Sequence, residues 1–267
     1  MNQLRATLRL GAFFIWCGGA FAASLLAQLM IVLMPSVGVS AKRITAKVWA
    51  RGVCLIIGLQ VDVQGSPPEP PFILVSNHLS YIDIVTLMSV IPGVFVAKSE
   101  VANWPLLGPL SRVASTIFVD RQSKKDVVRV NAEIDRILAR GEGLIMFPEG
   151  TSSQGRSVLP FRSSLLQPAC SAGHPVNYAS LSYHTPSGAP PAEMSVCWWG
   201  DMTFGDHFWG LLQLPSIEGS ISFGDQSVAA GSRHELAHAL QIAVIENFRP
   251  VSDTPEGEPE TKCMDLN

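Results

Sequence analysis

Charge is scarce in this chain, and its cysteines are badly placed for structural use. Charged residues make up only 15% of the 267 positions and hydrophobic residues 47%, which excludes general disorder and supplies ample core material. The five cysteines (Cys17, Cys54, Cys170, Cys197, Cys263) are scattered, with no two at C-x-x-C spacing. Neither a disulfide framework nor a cysteine-based zinc site follows from such a pattern. Acids are missing from the first sixty residues, which hold Arg5, Arg9, Lys42, Arg43, Lys47 and Arg51. With +6 there and a net charge of -3, the remainder carries -9. A body without basic clusters does not suit nucleic acid, whereas a basic collar suits an anionic membrane surface. The G-x-S-x-G elbow of serine hydrolases is absent as well.

Apolar length is what the N-terminus does have. Leu10 to Met34 is 25 residues without a charge, enough to cross about 30 Å of hydrocarbon as a helix. Basic residues flank it on both sides, and the larger cluster, Lys42 to Arg51, places the body in the cytoplasm by the positive-inside rule. Two rival readings stay open. Ala20-Phe21-Ala22 matches a signal-peptidase site, and a re-entrant hairpin broken at Gly18-Gly19 or Pro35 would not cross at all. Ala41 to Leu59 mixes basic residues with Val48, Trp49, Val53, Leu55 and Ile56, the pattern of an interfacial amphipathic helix.

The cluster Gly65-Ser66-Pro67-Pro68-Glu69-Pro70-Pro71 marks the expected start of the folded domain. Short buried runs follow at 72–76, 94–97, 116–119, 144–147 and 178–183, with further strands expected near 194–199 and 217–223. Helical patterns occupy 82–90, 105–113, 124–140 and 233–248. In the third of these, Val127, Val128, Ile134, Ile137 and Leu138 form the inward face. This alternation predicts a single α/β domain with a largely parallel central sheet, preceded by membrane-associated helices. The expected divisions are 1–62 as membrane-anchoring helices, 70–250 as the domain, and 251–267 as an acidic, disordered tail.

The chemistry concentrates in SNHLSYIDI, residues 76–84, directly after the first predicted strand of the domain. A histidine at a strand end and an acid in the next helical turn can meet across the bend. His78 then serves as a general base, with Asp83 holding its other nitrogen. The competing reading is a capping box over Ser80–Asp83, in which Asp83 only starts a helix. Three further segments follow in order: VAKSEVANWPLLGPL at 96–110, IFVDR at 117–121 and FPEGTSS at 147–153.

Together these four segments resemble the 1-acylglycerol-3-phosphate acyltransferase family, over roughly residues 70–185. The resemblance implies a membrane-bound O-acyltransferase that moves a fatty acyl group from acyl-CoA or acyl carrier protein to a lysolipid hydroxyl. It implies residence at the cell inner membrane, with the catalytic domain on the cytoplasmic side. Phosphatidic acid made from 1-acylglycerol-3-phosphate is the first expectation, and no metal or cofactor beyond the acyl donor is implied. His78 and Asp83 are the implied catalytic pair. Lys98, Arg121, Glu149, Gly150 and Thr151 are the implied substrate-binding residues, the two cations receiving an anionic headgroup.

Departures from the family pattern bear on the acceptor. Ser152 stands where the family usually has an arginine after FPEGT, and Arg156 or Arg162 is the available substitute on the same loop. Ser115 replaces a usual glycine upstream of IFVDR, and PVNYASLSY at 175–183 keeps only Pro175 of the usual prolines. FPEGTSSQGRSVLPFRSSLL also resembles a bacterial subgroup that includes lyso-ornithine-lipid acyltransferases, whose acceptor lacks phosphate. A different class is suggested by His234-Glu235-Leu236-Ala237-His238, an H-E-x-x-H match that would make a zinc hydrolase with a third ligand from the tail, at Glu258 or Glu260. The same helix carries an apolar stripe at Leu236, Leu240, Val244 and Phe248, which makes two exposed histidines the plainer reading. The aromatics Trp198, Trp199, Phe204, Phe208 and Trp209 read as core or as the wall of an acyl-chain pocket.

Overall fold

A computed structural model describes residues 2–103, 108, 111, 116–119, 124–171 and 173–251. Arg121, most of the expected 105–113 helix and the tail from 252 lie outside the described residues. In chain order the elements are α1 (Asn2–Leu33), α2 (Pro35–Ile57), β1 (Leu59–Gln64), β2 (Phe72–Ser76), α3 (Ile82–Val90), β3 (Val94–Lys98) and β4 (Ile117–Val119). They continue with α4 (Lys124–Ala139), β5 (Gly143–Met146), α5 (Gln167–Ser171), β6 (Val176–His184), α6 (Ala192–Ser195), α7 (Phe204–Gln213), β7 (Ile217–Phe223) and α8 (Arg233–Asn247).

The seven strands form one sheet in the order β1-β7-β6-β2-β5-β3-β4. All neighbours are parallel except β6 and β7, so the sheet is largely parallel as its continuous apolar runs predict. Strand alternation sorts the core onto two faces. Phe72 and Leu74 of β2 point to the side packed by α1, α2, α3 and α7, while Ile73 and Val75 face α4 and α8. One strand lies before the proline-rich cluster: β1 pairs with β7 at the sheet edge, Leu59 opposite Ile217. The strand expected at 194–199 does not form. Pro190-Pro191 lead into the short helix α6, and the Trp198 N–H donates to the Leu79 carbonyl at 2.9 Å, which draws this run to the loop after β2.

The N-terminal segment is a helical hairpin. Helix α1 runs unbroken through Gly18-Gly19 and Ala20-Phe21-Ala22, and the chain reverses at Met34-Pro35. Trp16 Nε1–H donates to the Trp49 carbonyl at 2.9 Å, clamping the two helices. Gly52 makes that approach possible, because a Cβ there would sit 2.1 Å from the Trp16 ring. Both ends of the hairpin return to the body. Arg9 donates to the carbonyls of Leu212 and Leu214 at the end of α7, at 3.2 and 2.7 Å, and α2 runs through Gly58 into β1. A crossing that leaves the N-terminus on the far side of a membrane is incompatible with those bonds. Of 41–59, residues 41–57 belong to α2, tied to the body by Arg51 Nε–H on the Ser89 carbonyl at 3.0 Å and Arg43 on the Gly141 carbonyl.

Candidate active site

The loop after β2 turns sharply because Asn77 continues the sheet with its side chain. Its amide donates to the Leu181 carbonyl at 3.0 Å and accepts from the Leu181 N–H at 2.7 Å, imitating one more rung between β2 and β6. His78 emerges beyond that rung, and α3 begins four residues later. The His78 ring stacks on Phe147 from the end of β5, with centroids 4.2 Å apart and 12° between planes.

His78 and Asp83 meet as the sequence predicts. His78 Nδ1–H donates to Asp83 Oδ2 at 2.7 Å; the Asp83 side chain is fully buried and that of His78 is 21% exposed. The same Oδ2 accepts the backbone N–H groups of Leu79 at 2.6 Å and Ser80 at 3.0 Å. Asp83 therefore does both things the sequence left open. It closes half of a capping box at the start of α3, where the helix dipole favours an anion, and it orients the imidazole. The other half of the box is missing, since Ser80 Oγ has no partner among the described residues. With Nδ1 occupied, the His78 nitrogen left to act as a base is Nε2.

Glu149 lies behind His78, only 2% exposed, and is not part of the cavity wall. Its Oε1 accepts the His78 backbone N–H at 3.2 Å. Burial, reinforced by the nearby Asp83 charge, pushes its carboxyl up to about 9, so it is neutral at physiological pH. Gly150, at φ +76°, makes the turn that brings Thr151 and Ser152 to the cavity. Ser153 N–H donates to the His78 carbonyl at 3.0 Å, fastening this loop to the first motif.

A cavity of about 390 Å³ opens on His78, within the size range of small-molecule sites. One part of its wall is polar: His78, Lys98, Glu100, Thr151 and Ser152. The rest is apolar, with Phe13, Trp49, Val53 and Ile57 from the hairpin, Phe204 and Phe208 from α7, and Val85, Phe95, Phe147 and Trp198 from the body. Tyr81 also lines it, a role that sequence reading missed. His207 Nε2–H donates to the Cys197 carbonyl at 3.0 Å, which leaves Nδ1 to accept the Tyr81 hydroxyl at 2.9 Å. Burial lowers the His207 pKa, consistent with a neutral ring in that role.

The expected basic residues separate. Lys98, exposed at the end of β3, reaches the cavity wall. Arg156 does not: it donates to Glu193 Oε1 at 2.7 Å in an ion pair with a largely buried carboxylate. Arg162 is exposed and off the cavity wall. Ser152 Oγ–H donates to the Trp198 carbonyl, so the position where the family carries arginine here ties down an aromatic wall. Neither candidate for replacing that arginine lines the cavity. His234 and His238 are both exposed on α8 while Leu236, Leu240 and Val244 are buried; no metal-binding cluster occurs among the described residues.

An acyltransferase family profile matches residues 60–180. The lyso-ornithine lipid O-acyltransferase of Rhizobium meliloti is 34% identical over 227 residues, 79% of this chain and 78% of that protein. The 1-acyl-sn-glycerol-3-phosphate acyltransferase of Neisseria meningitidis serogroup B is 30% identical over 203 residues, 75% of this chain and 78% of its own. In fold, the crystal structure of the 1-acyl-sn-glycerophosphate acyltransferase from Thermotoga maritima matches with a TM-score of 0.62 at 19% identity, covering 92% of this chain and 97% of that one.

Proposed function

The chain belongs to the acyltransferase family, and from that premise we propose that it acylates a lysolipid bearing an amino-acid headgroup, of the lyso-ornithine-lipid kind. Enzymes of this kind use an acyl donor and no other cofactor. His78 Nε2 takes the proton of the acceptor hydroxyl as its oxygen attacks the acyl thioester carbonyl; the C–O bond forms, the C–S bond breaks, and the imidazolium returns the proton to the leaving thiolate. Asp83 stabilises that imidazolium. Glu149 acts from behind, holding the His78 backbone. Coenzyme A or acyl carrier protein is the thiol carrier.

The observation that carries the acceptor reading is the Arg156–Glu193 ion pair at 2.7 Å. It engages Arg156, one of the two arginines on the same loop that could replace the missing phosphate ligand at Ser152. A lost charge-assisted hydrogen bond costs about 1.5–3 kcal/mol, enough to reorder two acceptors. The polar wall instead carries both signs, Lys98 and Glu100, which suits a headgroup with a carboxylate and an ammonium better than a dianion. Lysophosphatidate is the second reading, supported by Lys98 at the strand end and by the neisserial relative. The hairpin, with its exposed apolar flank, embeds in the cytoplasmic leaflet of the inner membrane.

The test is competition between the two lysolipids at equal concentration with one acyl thioester. The expected outcome is a higher kcat/KM for the lyso-ornithine lipid, with Ser152→Arg moving preference toward lysophosphatidate. A parent enzyme that prefers lysophosphatidate would reverse the assignment.

A further inference from the structure

The deepest part of the site lies under the dyad rather than in the cavity. Asp83 Oδ2 is saturated by three donors, His78 Nδ1–H and the Leu79 and Ser80 N–H groups. Asp83 Oδ1 receives the hydroxyl of Tyr183, at 2.8 Å. Tyr183 is completely buried on β6, a hundred residues away in sequence, and its Oη also lies 2.9 Å from Thr86 Oγ1 on α3. Its position is set by the Asn77 clamp. Asn77 fastens Leu181, and Tyr183, two residues on, shares that face of the strand directly beneath the start of α3.

From this geometry we infer that Tyr183 is a positioning residue for acyl transfer, holding the Asp83 carboxylate in one rotation so that it fixes and charge-stabilises His78. The inference rests on the His78–Asp83 reading given above. A carboxylate this deeply buried, with one oxygen left without a donor, either turns or takes up a proton, and either change releases the imidazole. Burial, and then the Asp83 charge, hold the Tyr183 phenol well above the usual tyrosine value, so it stays a donor throughout the working range. The other titratable groups facing Asp83 are His78, Glu149 and Cys197. Glu149 and the Cys197 thiol are both kept neutral by burial, so His78 is the one that changes charge in turnover.

Removing the hydroxyl lets the Asp83 carboxylate turn or take up a proton, so the imidazolium loses its stabilising charge and His78 becomes a weaker base. The experiment measures kcat, KM and the pH profile of kcat/KM for the full chain in lipid vesicles. For Tyr183→Phe, kcat is expected to fall about 10-fold with KM within twofold, and the acidic limb to move down by about half a pH unit or more. Thr86→Val is expected to shift the limb the same way by less, and Thr86→Ser to restore it. Ile221→Val, a buried change elsewhere in the same core, supplies the control for lost stability, with an unshifted limb. A Tyr183→Phe limb at the parental pH would overturn the inference. Should that variant not fold, an unshifted Thr86→Val limb would overturn it equally. His78→Ala in the same assay separates the two levels: full activity there removes the dyad itself, whereas an inactive His78→Ala beside an unshifted Tyr183→Phe removes only the role of Tyr183.

Discussion

Among the described residues, all but four of the exposed large apolar side chains lie between Leu4 and Leu55, whereas Ser76, Asn77, Ser80, Asp83 and Thr86 around the dyad are each at most 1% exposed. The hairpin thus offers apolar surface outward, and the site folds polar groups inward. Helix α1 has the length and hydropathy of a membrane segment and almost none of that window is buried within the protein. Such an exposed apolar flank is compatible with membrane association. The dyad needs the protein itself, because Asp83 Oδ1 and the Asn77 amide depend on Tyr183 and Leu181, set in place by another strand. Each region is vulnerable in its own way: the hairpin to changes in many exposed side chains, the dyad to the loss of a single atom.

His78→Ala gives the largest expected effect, a loss of about 10²–10⁴-fold in kcat with membrane binding intact. Near-parental turnover would move the base elsewhere. Asp83→Asn is expected to lose less. The amide NH₂ can turn toward the Tyr183 oxygen while its carbonyl still accepts from His78, so the tautomer survives and only the charge is lost, about 1.5–3 kcal/mol or some 10- to 100-fold. Lower thermal stability with an unchanged rate would leave Asp83 as a helix cap alone.

The hairpin is probed by changing Ile15, Leu26 and Leu29, all more than half exposed, to serine together. Burying each side chain in lipid is worth about 1.5–3 kcal/mol, so vesicle sedimentation should show clear loss of binding while the fold persists. Unchanged sedimentation would mean that the hairpin does not hold the membrane. The smallest effect on turnover is expected at Glu149, whose signature is in stability. A carboxyl raised to about 9 in the folded state keeps its proton while the unfolded chain gives it up above about 4.5. The native state therefore carries no penalty below about pH 4.5, and stability drains away as pH climbs toward 9. Glu149→Gln should remove that loss, and its Tm advantage over the parent should widen between pH 5 and pH 9. A constant difference across that range would mean that the carboxyl is ionised in the native state.

Much of this protein was legible in the order of its residues. Phe72–Ser76, Ile82–Val90 and Ile217–Phe223 form with the predicted bounds, because continuous apolar runs and a capped helix start are local features that neighbouring residues specify. His78 and Asp83 were equally legible, five positions apart and joined by one turn. What lay outside that reach was every choice of partner across the chain. Tyr183 under Asp83, Arg156 turned to Glu193, and Arg9 folded back on α7 all depend on which strand lies beside which. The 194–199 run illustrates the same limit: its apolar pattern suited a strand, yet a backbone bond to Leu79 claimed it. Local sequence fixes periodicity and turn chemistry over a few residues. A buried charge or hydroxyl takes whichever partner the packed sheet brings within about 3 Å, and only the tertiary structure decides that.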